Sequence, residues 1–278
     1  MTGTYLLPRV QQCPQDSKPV RAVAIIMVRN GGPYVGHCLA HLVRQGLDVA
    51  VLDHDSTDRT RALCLEWEGR GVFHVQYVPY QGYFSLREQL GLKQKLIEKL
   101  NPDWVVHQDI DECLEPPTGF ATLIEWFEAA EKENCNVLNF DEFVFIPHVE
   151  KYETFYDSRY YYFFSPWSPR LMRAWKPAAN LSALETGGHV LKGDVRLFPQ
   201  AGYLRHYLFT DQGHAYQKYA ARPFAVSEVE QGWHRNRLSI PKAALHFPAK
   251  QLLECLPVAG SRAFNVRNPW KQHYWQTR

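Results

Sequence analysis

The chain has 278 residues, 45% hydrophobic and 22% charged, which excludes an intrinsically disordered chain. Lys plus Arg number 31 against 29 Asp plus Glu, a net charge of +2, without the basic surplus of a general nucleic-acid binder. No uncharged apolar run reaches the roughly 18 residues of a membrane-spanning helix.

Residues 1–20, rich in proline and polar side chains, read as an N-terminal extension. They lack the basic end and apolar stretch of a secretory signal, so a soluble, cytoplasmic protein is expected. Ala22 to Val28 is continuously apolar and β-branched, as in a strand buried on both faces. Arg29-Asn30-Gly31-Gly32-Pro33 turns into an amphipathic helix carrying Val35, Leu39, Leu42 and Val43 on one stripe, with Gly46 at its end. Val49 to Leu52 is a second strand, stopping at Asp53-His54-Asp55-Ser56-Thr57-Asp58. A helix over 60–70, a strand over 72–78 and a helix over 85–100 follow, and Asn101-Pro102 breaks the last. Trp104 to His107 makes a fourth strand, running into Gln108-Asp109-Ile110-Asp111-Glu112.

This alternation predicts an α/β fold: a mostly parallel sheet flanked by helices. Ligands of such sheets bind beyond the carboxyl ends of the strands. Three of those ends, at Arg29-Asn30, Asp53-Asp55 and Asp109-Asp111, should therefore share one crevice. Beyond about residue 116 the texture changes: a helix over 122–132, a strand or two over 136–146, and an aromatic run over 160–164 that reads as a buried strand. No linker separates the halves. The organisation expected is 21–115 as a ligand-binding half and 116–278 as a second lobe and C-terminal tail of the same domain. The tail from Arg262 mixes Arg and Lys with Trp and Tyr; it reads as solvated and leaves peripheral membrane contact open.

Six cysteines, none in a Cys-x-x-Cys pair, read as reduced thiols. His37 and His41 have the spacing of a helical metal pair, but fall opposite the apolar stripe and read as solvent-facing. The acidic cluster is more informative. In an extended chain residues i and i+2 point the same way, so Asp109 and Asp111 should share a face. Carboxylates that close need a proton or cation between them, and a hard ion such as Mg²⁺ or Mn²⁺ suits oxygen ligands. The bland alternative is an acidic loop capping the next helix. Asp53 with Ser56-Thr57-Asp58 can accept hydrogen bonds from a nucleobase or ribose, or simply supply a helix cap.

Taken together and in order, Ala22 to Asn30, Val51 to Thr60 and Trp104 to Glu112 resemble glycosyltransferase family 2 and its relatives, enzymes of the GT-A fold. The likeness is strongest to the bacterial branch with an Asp-x-Asp-Glu metal motif and a His-Tyr pair followed by Lys, here His206-Tyr207 and Lys218. The resemblance implies a nucleoside-diphosphate sugar donor, contacted by Val28, Asn30, Asp53, Arg87 and Asp109. It also implies a Mn²⁺ or Mg²⁺ ion held by Asp109, Asp111 and His206. His54 and Asp55 stand where many relatives have Asp or Asn, then Gly, which leaves the nucleotide open.

The reaction implied is metal-dependent transfer of a sugar, with inversion, to a carbohydrate or lipid-linked glycan acceptor. Inversion needs a carboxylate base, and among Asp141, Glu142, Glu185 and Asp194 the flexible Glu185-Thr186-Gly187-Gly188-His189 stretch favours Glu185, with His189 a fallback for the ion. Trp167, Trp175 and Trp233 are candidate acceptor contacts. Three readings compete: a catalytically silent binding module, a sugar-phosphate nucleotidyltransferase and a metal-dependent phosphohydrolase. The second would need a Lys in the loop after the first strand, which Met27 to Pro33 does not supply. The third lacks a second His/Asp cluster.

Overall fold

The computed structural model describes residues 19–151, 153–220, 222–234, 237–238 and 240–276. Nearly all of the expected N-terminal extension lies outside them. Four parallel strands form the centre: β1 (Ala22–Val28), β2 (Asp48–Asp53), β3 (Val72–Tyr77) and β4 (Trp104–Gln108), in the order β4-β1-β2-β3. β1 is buried throughout because its alternate residues feed two cores. Ala24, Ile26 and Val28 pack with helices α1 (Gly32–Arg44) and α4 (Leu123–Lys132); Val23, Ile25 and Met27 pack with α3 (Leu86–Leu100). The helix ends follow local chemistry. Ser85 and Thr122 accept from the backbone N–H groups of Glu88 and Glu125 at the starts of α3 and α4. Gly46, at φ +84°, closes the turn after α1, where a Cβ would stand 2.7 Å from Ile124.

The second half is mainly antiparallel. β8 (Met172–Trp175) pairs with β4 and with the start of β6 (Val137–Phe145). The far end of β6 pairs with β7 (Tyr160–Phe164), and β7 with the short β10 (Glu254–Cys255). β9 (Gly202–His206) lies parallel to β6 and antiparallel to β5 (Glu112–Glu115). Two short helices, α5 (Gln212–Ala220) and α6 (Val226–Glu230), follow. No helix among the described residues is long and apolar enough to cross a membrane.

Several expectations are corrected. The second helix, α2 (Thr60–Leu65), ends well before residue 70, because Gly69 and Gly71 take positive φ and turn the chain into β3. His37 is exposed, as expected, but His41 does not face solvent. His41 is buried with Nε2 2.8 Å from the Leu114 carbonyl, and His37 stacks on Tyr156 with ring centroids 3.7 Å apart. The second lobe covers that face of α1, and a helical wheel does not reveal a second packing layer. The C-terminal segment is no solvated tail either. Phe264 stacks on Phe143 at 3.8 Å, and Trp270, Tyr274 and Trp275 pack around Tyr162 and Phe209. Trp175 is core, so it cannot contact an acceptor. Among the described residues the cysteines are free thiols.

Candidate functional site

β4, β1 and β2 are parallel neighbours, so their carboxyl ends stand side by side. Side chains stitch the rim together. Asn30 accepts from the Thr57 N–H (2.8 Å) while its own N–H donates to Ser56 Oγ (3.0 Å). Arg29 donates to the His54 carbonyl (2.8 Å) and lies over the Tyr80 ring. Just before α2, Asp58 accepts from Thr60 N–H (2.9 Å) and Gly32 N–H (3.1 Å). Val28 is buried and its carbonyl accepts from His54 N–H (2.8 Å).

Asp53 is different. It closes β2 only 1% exposed, and neither carboxylate oxygen has a hydrogen-bond partner among the described residues. Burying a carboxylate without donors is costly. An orphan acceptor at the carboxyl end of a parallel strand is suited to ligand donors such as a nucleobase N–H or ribose hydroxyls.

The acidic segment does not stay extended. The Glu112 N–H donates to the Asp109 carbonyl (3.2 Å), forming a turn, so Asp109 and Asp111 diverge instead of sharing a face. Each meets protein cations. Asp109 lies 3.0 Å from Arg173 Nη2, 3.6 Å from His107 Nε2 and 3.8 Å from Lys93 Nζ. Burial opposes its charge, but Arg173, His107 and Lys93 hold its carboxyl well below the usual range. The same Arg173 nitrogen also closes on Glu112, whose carboxyl burial pushes up. Buried Lys93, pushed down to about 8 by desolvation, also donates to the Gln108 carbonyl (2.9 Å).

Asp111 meets a second set. Lys218 from α5 contacts Oδ2 and also donates to the Leu208 carbonyl (3.0 Å). His206 Nε2, from the end of β9, stands 3.4 Å from the same oxygen. Burial again opposes the charge, and Lys218 and His206 outweigh it, so Asp111 is held well below the usual range. The other ring nitrogen of His206 is 2.5 Å from Glu142 on β6, and the Arg170 guanidinium closes on Glu142 from beyond.

Among the described residues no three His, Cys, Asp or Glu side chains form a ready metal cage. A hard divalent ion does not require one, since it is commonly held by one or two carboxylates with water and substrate phosphate. Asp111 and His206 fit that description. His206 has Nδ1 committed to a carboxylate, the arrangement that turns Nε2 towards a ligand.

The structure thus gathers Val28, Asn30, Asp53, Asp109, Asp111 and His206 at one end of the sheet. Arg87 is engaged elsewhere: its guanidinium donates to Gln231 (3.0 Å) and lies over Trp233, while its backbone N–H donates to Glu228 (2.7 Å). Glu185 is not brought into the cluster; it is exposed and pairs with Lys192 at 2.7 Å. Asp194 is exposed and pairs with Arg196, Asp141 is half-buried outside these contacts, and His189 is exposed. Lys93 and Arg173 escaped the sequence reading. Their signals were a lysine on the buried stripe of α3 and a lone arginine within the apolar run Leu171 to Trp175.

The sequence matches no protein-family model and no curated protein. It is similar to solved structures of S. aureus TarS. The crystal structure of TarS residues 1–349 with UDP is 10% identical, with a TM-score of 0.43 over 67% of this chain and 60% of that one. The same fragment without UDP is 12% identical, with a TM-score of 0.45 over the same shares. A third TarS crystal structure is 11% identical, with a TM-score of 0.44 over 71% of this chain and 39% of that one. The matched regions therefore cover less than two thirds of those chains.

Proposed function

We propose that the chain is a glycosyltransferase of the GT-A type. It would move a sugar from a nucleoside-diphosphate sugar to a carbohydrate or lipid-linked glycan acceptor, with inversion and with Mn²⁺ or Mg²⁺. The observation that carries this reading is the orphan Asp53 carboxylate, at the same end of the sheet as the Asp109–Asp111 turn. Its two unpartnered oxygens suit the donors of a nucleoside. The cations gathered around the turn suit a diphosphate.

In this reading Asp53 orients the nucleoside from the end of β2, against the backbone of Val28 and Asn30. Asp111 and His206 would hold the ion, with Asp109 beside them; when bound, it supplies Lewis-acid stabilisation to the departing diphosphate. Lys218 and Arg173 keep the acids ionised and add positive charge where negative charge grows in the transition state. The acceptor proton requires a carboxylate. Glu185 is kept as that carboxylate because its loop, not its present side-chain contact with Lys192, borders the cluster: Gly188 accepts from Arg173 (3.3 Å) and would meet His107 if it carried a Cβ. Glu185→Gln should then lower kcat by about 10²-fold or more, with the donor KM unchanged; an ordinary kcat removes the assignment.

The function is tested by incubating the full chain with UDP-, GDP- and dTDP-sugars and a panel of glycan acceptors, following release of nucleoside diphosphate. Acceptor-dependent release supports transfer. Tight nucleotide binding without turnover on any acceptor supports the silent module instead.

A further inference from the structure

One chain of polar side chains links the Asp109–Asp111 turn to the second lobe. It runs Lys218, Asp111, His206, Glu142, Arg170, with each member in contact with or facing the next. The five residues come from α5, the turn after β4, β9, β6 and the segment before β8, so the order is a product of the fold and not of local sequence. Glu142 joins His206 to Arg170 in this chain. It is 5% exposed, its Oε1 lies 2.5 Å from His206 Nδ1, and Arg170 closes on Oε2. The Arg170 guanidinium is itself fixed over the Phe164 ring, 4.8 Å from its centroid.

A carboxylate has no proton to give, so the short contact places the hydrogen on His206 Nδ1. That leaves Nε2 as the nitrogen facing Asp111 Oδ2, 3.4 Å away. A histidine held in this way is a pre-set ligand, with tautomer and ring plane fixed before anything binds. The register supports the same conclusion. β6 and β9 run in parallel with Glu142 opposite Leu204 and Val144 opposite His206, so the pair is built into strand pairing and not into a mobile loop.

We propose that Glu142 is the positioning residue of the site: by holding Nδ1 of His206 it presents Nε2 beside Asp111, and so makes this pair a binding site for a divalent cation. Lys218 contacts the same Asp111 oxygen and occupies that place with its ammonium. The proposal rests on the reading of Asp111 and His206 as cation ligands given above.

The test is direct titration of the full chain with Mn²⁺, free ion being followed by its electron paramagnetic resonance signal, with and without UDP. The variants are Glu142→Gln, Glu142→Ala, His206→Gln and the double variant Glu142→Gln/His206→Gln. Glu142→Gln is expected to weaken Mn²⁺ binding about 10-fold and Glu142→Ala up to about 100-fold. Because Glu142 acts through His206, adding Glu142→Gln to His206→Gln should cost nothing more in Mn²⁺ affinity.

A purely structural role would give additive losses and would lower UDP binding measured with chelator present, which the positioning role leaves intact. Additive losses, or wild-type Mn²⁺ affinity in a folded Glu142→Gln protein, overturn the proposal while leaving the cation site standing. Failure of the wild-type chain to bind Mn²⁺ with or without UDP overturns both, whatever the nucleotide and transfer assays show of the enzyme itself.

Discussion

Arg173 Nη2 lies 3.0 Å from Asp109 Oδ2 and contacts Glu112 as well, so one buried guanidinium from β8 neutralises two acids of the turn after β4. Both acids would lose their main counter-charge in Arg173→Met, while Lys93 at 3.8 Å still faces Asp109. Breaking a buried pair from one side costs about 3–5 kcal/mol. Denaturant unfolding should show a loss of that order for Arg173→Met, and an Arg173→Met protein of wild-type stability would contradict this role.

Asp53 is predicted to trade stability for binding. Its buried carboxylate has no donor among the described residues, so Asp53→Asn removes an unpaired charge and should stabilise the ligand-free protein by roughly 1–3 kcal/mol. The same change should weaken nucleoside diphosphate binding at least about tenfold, as expected when a buried hydrogen-bonded charge is lost from a complex. Melting temperature and titration calorimetry on the same preparations read both signs.

Glu228 joins the 222–234 segment to the start of α3. Its carboxylate accepts from Ser85 Oγ (2.8 Å), Leu86 N–H (3.0 Å) and Arg87 N–H (2.7 Å), and faces His234 Nε2 at 3.1 Å. Burial opposes its charge, but these donors outweigh it and hold the carboxyl below its ordinary 4.5. A carboxyl depressed by folding adds stability that is present above the unfolded value and lost as pH falls through the folded one. The stability difference between wild type and Glu228→Gln should therefore be flat above about pH 5.5 and shrink as pH drops through 4.5 and below. A constant difference across that window would contradict the assignment.

Lys218 and a divalent cation compete for the same Asp111 oxygen. Lys218→Met should therefore raise Mn²⁺ affinity severalfold in the absence of nucleotide while lowering thermal stability, because Asp111 loses its nearest counter-charge. Unchanged Mn²⁺ affinity would place the cation elsewhere.

The parallel half was legible because strands buried on both faces are continuous apolar runs: 22–28, 49–52 and 104–107 were placed within a residue or so. Their polar ends marked one end of the sheet as the candidate site. The geometry inside it was not legible. The period-two rule put Asp109 and Asp111 on one face, but it applies to a strand, and the chain turns between Asp109 and Glu112. The partners that neutralise these acids, Lys93, Arg173 and Lys218, arrive from a helix, an antiparallel strand and a second lobe, 16 to 107 residues away in sequence. His41 and Trp175 misled for the same reason: which face of an element is covered depends on layers that its own periodicity does not encode.

The most direct test is a thermal-shift panel of UDP, GDP and dTDP, each with Mn²⁺, Mg²⁺ or chelator, on the wild-type chain, Asp53→Asn and Asp111→Asn. Ligand at a hundred times its dissociation constant adds about 2.7 kcal/mol, a readable shift. One nucleotide should raise the wild-type melting temperature, more so with metal; Asp53→Asn should abolish the shift and Asp111→Asn should remove its metal-dependent part. A shift indifferent to metal and to both substitutions, or none with any nucleotide, would contradict the assignment of this crevice as a nucleotide-sugar site.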